Sequence, residues 1–413
     1  MDELQKSETT TEEEDTKVTT GPKRSKERFS PFWKQAFVTA SVSTNIVAHG
    51  CVIGYSAILI PALRLPDSYI HATPSEESWI ASIIGFALIC GNIIITPLMG
   101  LCGRKKCHLL TIVPVLSGWF FLLLVNNVAG IIAARFLQGI AMGMLGPLGS
   151  IIIGEMTDPI NRGAFLTCVS LSLTIGVLFC HSLGTFFSWQ RSALICSFIT
   201  FTSLCLIIFT TESPSWLISK GRMAEARRVF IWLRGDGDEQ IDELDKMILA
   251  QRLASKSSIM DTNLTFGAKI KWQLKYFRRT IKKPEFFKPV IIMVFLYMMF
   301  QFAGINIISS YATDIIRQVV GPEADANVIM VALDIERLVC NIFAVYLMRT
   351  LKRRTLLFST GLICISSYIA KGYYVYAKQN GQLPIEGQWL PIGLIAIYML
   401  SLTIGISSIP FAI

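Results

Sequence analysis

Asp334, Glu336 and Arg337 stand inside a stretch that is otherwise apolar, 326–348. A charge near the bilayer centre costs about 2.5–3.5 kcal/mol on insertion scales, so such residues face a cavity or a partner. Asp334 and Arg337 are three apart and share a helix face, which favours an internal pair within the bundle wall. A second set of charges brackets the stretch RFLQGIAMGMLGPLGSIIIGEMTDPINRG: Arg135 opens it, Glu155 closes its apolar middle, and Arg162 follows. Between them, Phe136 to Gly154 is 19 residues without a formal charge, at about 1.5 Å per residue nearly enough for a bilayer core of about 30 Å. Gly139 and Gly143, four apart, lie on one face and admit a close neighbouring helix. An arginine at one end and an acid–base pair at the other suggest a central helix locked at one membrane surface. Nothing here makes a catalytic constellation: no span carries paired acids, a Ser/His set or metal ligands. His49, His71, His108 and His181 are scattered, and Cys102 and Cys107 flank a basic turn with no partner pair at zinc spacing. Most other cysteines, such as Cys168, Cys180, Cys196, Cys205 and Cys340, read as small buried hydrophobes. The expectation is a protein that is not an enzyme and holds no metal and no cofactor.

These groups need apolar helices to position them. The 413 residues are 52% hydrophobic and only 16% charged, with mean hydropathy +0.52, whereas soluble domains carry about 25% charged residues. With apolar runs of bilayer length, this makes an all-α polytopic membrane bundle, since each span must satisfy its backbone hydrogen bonds internally. The net charge of +9 does not call for nucleic acid, because the basic residues sit in the connections, where they set topology. A disordered cytosolic tail is expected over 1–32. A six-helix bundle follows over 33–210, with spans near 35–61, 79–101, 108–125, 130–154, 164–187 and 192–210. A cytosolic loop with short helices occupies 211–285, including an amphipathic helix over 219–233 with Met223, Ala226, Phe230 and Leu233 on one side. Residues 286–413 then form an incomplete second bundle of four spans, near 286–309, 326–348, 355–377 and from 390 onward, with 312–325 a polar outer connection. Lys23, Arg24, Lys26, Arg28 and Lys34 precede the first span and place the N-terminus in the cytosol. Each half carries a basic turn after its second span, a correspondence that marks a transporter built from repeats.

Four motifs carry a resemblance: Arg135-Phe136-Leu137-Gln138-Gly139; Gly154-Glu155 with Arg162-Gly163; Glu212-Ser213-Pro214 with Trp216-Leu217; and Gln301-Phe302-Ala303-Gly304-Ile305-Asn306. Together they resemble the sugar-porter family of the major facilitator superfamily, over about 32–413. Ser78-Trp79-Ile80-Ala81-Ser82-Ile83 and Gly154-Glu155-Met156-Thr157 look most like its insect facilitated trehalose transporter branch. The resemblance implies the major facilitator fold, a mono- or disaccharide site between two bundles, and alternating access. Uncharged amides suit such a ligand because they donate to and accept from hydroxyls. Gln301 and Asn306 match the family's sugar-binding amides, Tyr311 its outer-gate aromatic, and Phe411 the place beside the sugar where tryptophan is usual. Ser170 holds a fifth-span position that is often glutamine, and Arg337 falls where an amide often faces the sugar. Arg104, Lys105, Glu155 and Arg162 match the cytosolic network that latches the outward-facing state. Glu212 matches the acid after the sixth span, and Arg135, Arg353 and Arg354 are counted with this network. Gln301 and Asn306 are about 140° out of phase on a regular helix, so both touch one ligand only through local unwinding or a broad cavity.

The departures from the family pattern cluster on function. Phe300 replaces the first amide of the seventh-span motif, and Ser170 has less reach than glutamine. Gly100 stands where an acid is usual, Ser215 where arginine is usual, and Arg349-Thr350-Leu351-Lys352-Arg353-Arg354 lacks the acid and glycine of its turn. Each loss weakens the latch, so a less stable outward-facing state is expected. The first span has no acid between Lys34 and Arg64, which argues against proton coupling. The chain runs out inside its tenth span, so the expected fold is a truncated one. The reading is facilitated diffusion of a hexose or trehalose across the plasma membrane, with the sugar and the lipid bilayer as partners. The alternative is a non-transporting sugar sensor or an inactive truncated paralogue. No feature sets an oligomeric state.

Overall fold

A computed structural model describes residues 30–259, 278, 283–321, 325–380 and 389–407. The tail over 1–29 and most of the loop after 259 lie outside the described residues. Six long helices form the first half: α1 (Pro31–Leu63), α2 (Pro74–Cys102), α3 (Arg104–Leu124), α4 (Val128–Met156), α5 (Pro159–Phe186) and α6 (Trp189–Ile208). Their starts are written in the sequence. α1, α2 and α5 open on proline, whose missing N–H falls where a helix has no acceptor for it. Thr73 and Glu76 cap α2 reciprocally, and Asn127 caps α4 by accepting from the Gly130 N–H at 2.7 Å.

Short helices outside the long spans follow: α7 (Pro214–Ser219), α8 (Met223–Arg234) and α9 (Asp238–Ile259). The amphipathic helix expected from 219 begins only at Met223, because the chain turns through Gly221 at φ +74°. Its buried Ala226 and Phe230 pack with Trp216, Leu217 and Leu244, as the spacing requires. The second half comprises α10 (Pro284–Phe302), α11 (Ile305–Ser310), α12 (Ala312–Val319), α13 (Ala326–Thr350), α14 (Arg353–Gln379) and α15 (Trp389–Ser401). A π-helical turn over Leu402–Ser407 extends α15. The connection expected to be polar over 312–325 thus contains a helix. α12 buries Ala312, Thr313, Ile316 and Val319 while Arg317 points outward, so its polar residues mark one face rather than a loop.

Among the described residues, nine helical segments are long and apolar enough to cross a membrane. α13 is not one of them: every bilayer-length window within its 25 residues contains Asp334, Glu336 and Arg337. In the first half α4 runs between α2 and α3, and α1 lies along α5. The glycine face of α4 meets α2 as expected, since a Cβ on Gly143 would stand 2.1 Å from the Leu88 carbonyl oxygen. The two halves meet chiefly where α5 packs on α13 and where α1 packs on α11 and α12.

Candidate functional site: a broken helix at the seam

α10 stops at Phe302 and α11 restarts at Ile305, with Gly304 between them at φ +83°. That left-handed conformation is open to glycine and strained for residues with a Cβ. The break frees backbone groups that a continuous helix would pair. The Gly304 N–H turns to the Gln301 carbonyl at 3.1 Å, and the Ala303 carbonyl accepts from the Tyr398 hydroxyl on α15. It also removes the phase difference between the two amides: Asn306 Nδ2 donates to Gln301 Oε1 at 2.9 Å. This direct bond uses one donor and one acceptor. Gln301 Nε2 and Asn306 Oδ1 keep hydrogen-bonding capacity, and both residues are exposed.

The amide pair faces a cleft of about 460 Å³ between the halves. Ser310 and Tyr311 line it from the second half, and Ile53, Ser82, Leu88 and Met142 from the first. Among the described residues no acid, lysine or arginine lines it, so the cleft suits a neutral ligand with hydroxyls and C–H faces. Tyr311 joins α11 to α12 and packs against the first-half core. Beyond it an ion pair clasps the two halves. Arg64 donates to Glu77 at 2.9 and 2.6 Å, and across the seam to Asp314 at 2.9 Å. The hydrogen bonds it donates to Glu77, helped by the charge of Asp314, hold the Arg64 guanidinium above its usual pKa. Sequence reasoning missed this clasp. Its signal was that Arg64 is the single basic residue of the outer loop over 64–77.

At the opposite end of the first half, Arg104, Lys105, Glu155 and Glu212 come together. Gly103 turns the chain between α2 and α3 at φ +92°, where a Cβ would stand 2.3 Å from Glu212 Oε2. Glu212 accepts from the backbone N–H groups of Arg104 (2.7 Å), Lys105 (3.1 Å) and Ser213 (2.9 Å). A carboxylate there offsets the positive end of α3. The Arg104 side chain grips Glu155 with two hydrogen bonds, 2.9 and 2.7 Å, and Ser213 Oγ adds a third at 2.5 Å. The Lys105 ammonium turns away to the Ile208 carbonyl at 2.8 Å. These members all belong to the first half and the short helices that follow it.

The family model described as sugar (and other) transporter matches residues 35–413. The chain belongs to that family. The transporter is 28% identical over 379 residues to the facilitated trehalose transporter Tret1 of Bombyx mori, covering 92% of this chain and 71% of the relative. With Tret1 of Apis mellifera ligustica the identity is 27% over 394 residues, covering 94% and 74%. With Tret1 of Aedes aegypti it is 28% over 388 residues, and the chain spans 45% of that relative's length. Its fold is that of the major facilitator superfamily. It superposes on the partially occluded inward-open conformation of the E. coli xylose transporter XylE with a TM-score of 0.70 at 15% identity, covering 92% of this chain and 86% of XylE.

Five expectations for the transporter's site residues need correction. Arg162 does not pair with Glu155. It lies beyond the turn at Thr157–Asp158 and donates to the Thr157 carbonyl at 3.3 Å, while Glu155 is already held by Arg104 and Ser213. Arg135 is not part of the inner network. It is the eighth residue of α4, about 30 Å from Glu155 along that helix, and is fully buried. Its donors go to the Val52 carbonyl (2.8 Å), Gln138 (3.0 Å) and Ser56 (2.5 Å). Asp334 does not pair with Arg337: the first reaches across the seam to His181 on α5, the second to Ser309 on α11 at 3.1 Å. Each lies between different neighbours, and each takes the partner on its own side. Arg337 therefore does not line the amide cleft, and neither does Ser170, which donates to Asn341 on α13 at 3.0 Å and stitches the seam. Arg354 lies over the Phe358 ring at 5.8 Å. Phe411 and the Arg353 side chain lie outside the described residues.

Arg234 and Gln35 were missed altogether. Arg234, buried at the end of α8, holds the Thr157 carbonyl at 3.0 Å and pairs with Glu243 and Asp158. Gln35 of α1 donates to Asp158 at 2.6 Å, so the short helices are tied to the first half through this corner.

Proposed function

We propose that the transporter carries a hexose or trehalose by facilitated diffusion, through alternating access to the Gln301–Asn306 cleft. The observation that carries this reading is the hydrogen-bonded amide pair, created by the break at Gly304 and facing a neutral cleft between two halves. A sugar hydroxyl replaces one partner of the Asn306–Gln301 bond, so the pair exchanges a protein hydrogen bond for ligand bonds. Ser310, Ser82 and Tyr311 offer further polar groups, and the apolar first-half wall covers C–H faces. The two bundles, 33–210 and 286–413, act as the moving bodies, with 211–285 as the cytosolic connection. The protein sits in the plasma membrane with a cytosolic N-terminus, supported by the basic turns that follow α2 and α13. No proton is carried: α1 contains no acid, and the buried Arg135 is held by neutral acceptors.

The test is uptake of radiolabelled glucose and trehalose into proteoliposomes. Wild-type protein is expected to take up at least one of them, and Gln301→Ala with Asn306→Ala to abolish uptake while the protein still folds. Undiminished uptake by that double variant would remove the cleft from the pathway.

A further inference from the structure

A second cavity, of about 430 Å³, opens at the outer mouth and shares no lining residue with the amide cleft. Both halves build it. Asp67 and Tyr69 come from the loop after α1, and Trp189 and Gln190 from the start of α6. Arg317 comes from α12, and Asn327 from the first turn of α13. The Tyr69 ring is stacked on Trp189, with centroids 6.1 Å apart and planes 28° apart. Trp189 is 6% exposed and is the fixed layer, since its carbonyl accepts from the buried Tyr55 hydroxyl at 2.9 Å. Tyr69 is 58% exposed and presents a flat aromatic face to the outside.

Around this platform stand an acceptor-only carboxylate, a donor-only guanidinium and two amides that do both. The side chains of Asp67, Gln190, Arg317 and Asn327 make no hydrogen bond or ion pair with any described residue. Among the described residues their capacity is unspent. A flat ring beside converging donors and acceptors matches a pyranose, which has one C–H face and a rim of hydroxyls. The volume falls within the range of about 300–1,000 Å³ for small-molecule sites.

We propose that this outer vestibule is a second saccharide-binding site, for a mono- or disaccharide arriving from outside. The proposal rests on the sugar reading above for its ligand class and on its own geometry for its place. A saccharide held here touches both halves while the Arg64 clasp is closed, so it stabilises that closed form. A ligand that binds one state alone, at ten times its dissociation constant, favours that state about elevenfold. High external sugar is therefore expected to slow uptake.

The test is saturation-transfer NMR of glucose and of trehalose on the full chain in nanodiscs. Gln301→Ala/Asn306→Ala is expected to keep part of the wild-type signal. Adding Tyr69→Ala/Gln190→Ala to that variant should abolish the rest. Asn327→Trp, which fills the vestibule without removing a packed group, should do the same and keeps the test decisive if the Tyr69 variant fails to fold. Loss of all signal in the Gln301/Asn306 variant alone would overturn the vestibule site while leaving the central one. A residual signal that neither vestibule change reduces would also overturn it. No signal from wild-type protein with either sugar would overturn both sites.

Discussion

Asp314→Asn isolates the one part of the outer clasp that depends on conformation. Arg64 makes three charge-assisted hydrogen bonds. Two go to Glu77 within the first half and persist when the halves separate, while the third crosses the seam to Asp314 on α12. The crossing pair is partly solvated, with Arg64 45% and Asp314 28% exposed, so it is worth about 0.2–1 kcal/mol rather than the larger value of a buried pair. Losing it favours the outward-open state by a factor of about 1.4–5. Apparent affinity scales with the fraction of binding-competent protein. The external KM for sugar should fall by the same factor as long as outward-open protein is the minor form. The assay is zero-trans uptake into oriented vesicles at low and high salt. Screening weakens an exposed pair, so the difference between wild type and variant should shrink as ionic strength rises. An external KM that stays constant or rises would refute the reasoning that Arg64–Asp314 holds the outer end shut.

Three further outcomes follow from the inner end and the helix break. Gly304→Ala places a Cβ at φ +83°, at a cost of about 1–2 kcal/mol. The protein should still fold, but the Gln301–Asn306 register should be disturbed and sugar KM raised several-fold in uptake assays. Glu155→Gln exchanges a bidentate, partly buried ion pair for neutral bonds, and should destabilise by about 1.5–3 kcal/mol, seen as a lower melting temperature in detergent. Arg162→Gln, by contrast, should leave the melting temperature nearly unchanged, because Arg162 holds one long hydrogen bond to a carbonyl.

The helices and the pairing of the two amides were legible for separate reasons. Bilayer-length apolar runs show most of the spans directly, and proline, Thr73 and Asn127 mark several starts. The need for unwinding between Gln301 and Asn306 was visible from their spacing, and Gly304 supplies it. What escaped depended on which neighbour stands on which side. Asp334 and Arg337 have the spacing of a helical pair, yet α5 and α11 each offer a better-placed partner. Glu155 and Arg162 are only seven residues apart in sequence, but the turn at Thr157–Asp158 separates them, and Arg104 arrives from another helix. The Arg64 clasp joins residues 13 and 250 positions apart, a separation over which local pattern carries no information. α12 was hidden because a half-buried surface helix of 8 residues reads as a polar loop.

The central claim is passive carriage of a neutral sugar by alternating access to the Gln301–Asn306 cleft. The most direct measurement is counterflow: proteoliposomes loaded with unlabelled glucose or trehalose, diluted into labelled sugar with pH clamped equal on both sides. The account predicts transient accumulation of label above equilibrium with no proton gradient, and loss of that overshoot in Gln301→Ala/Asn306→Ala. Absence of an overshoot with either sugar, or accumulation that appears only when a proton gradient is imposed, would contradict it.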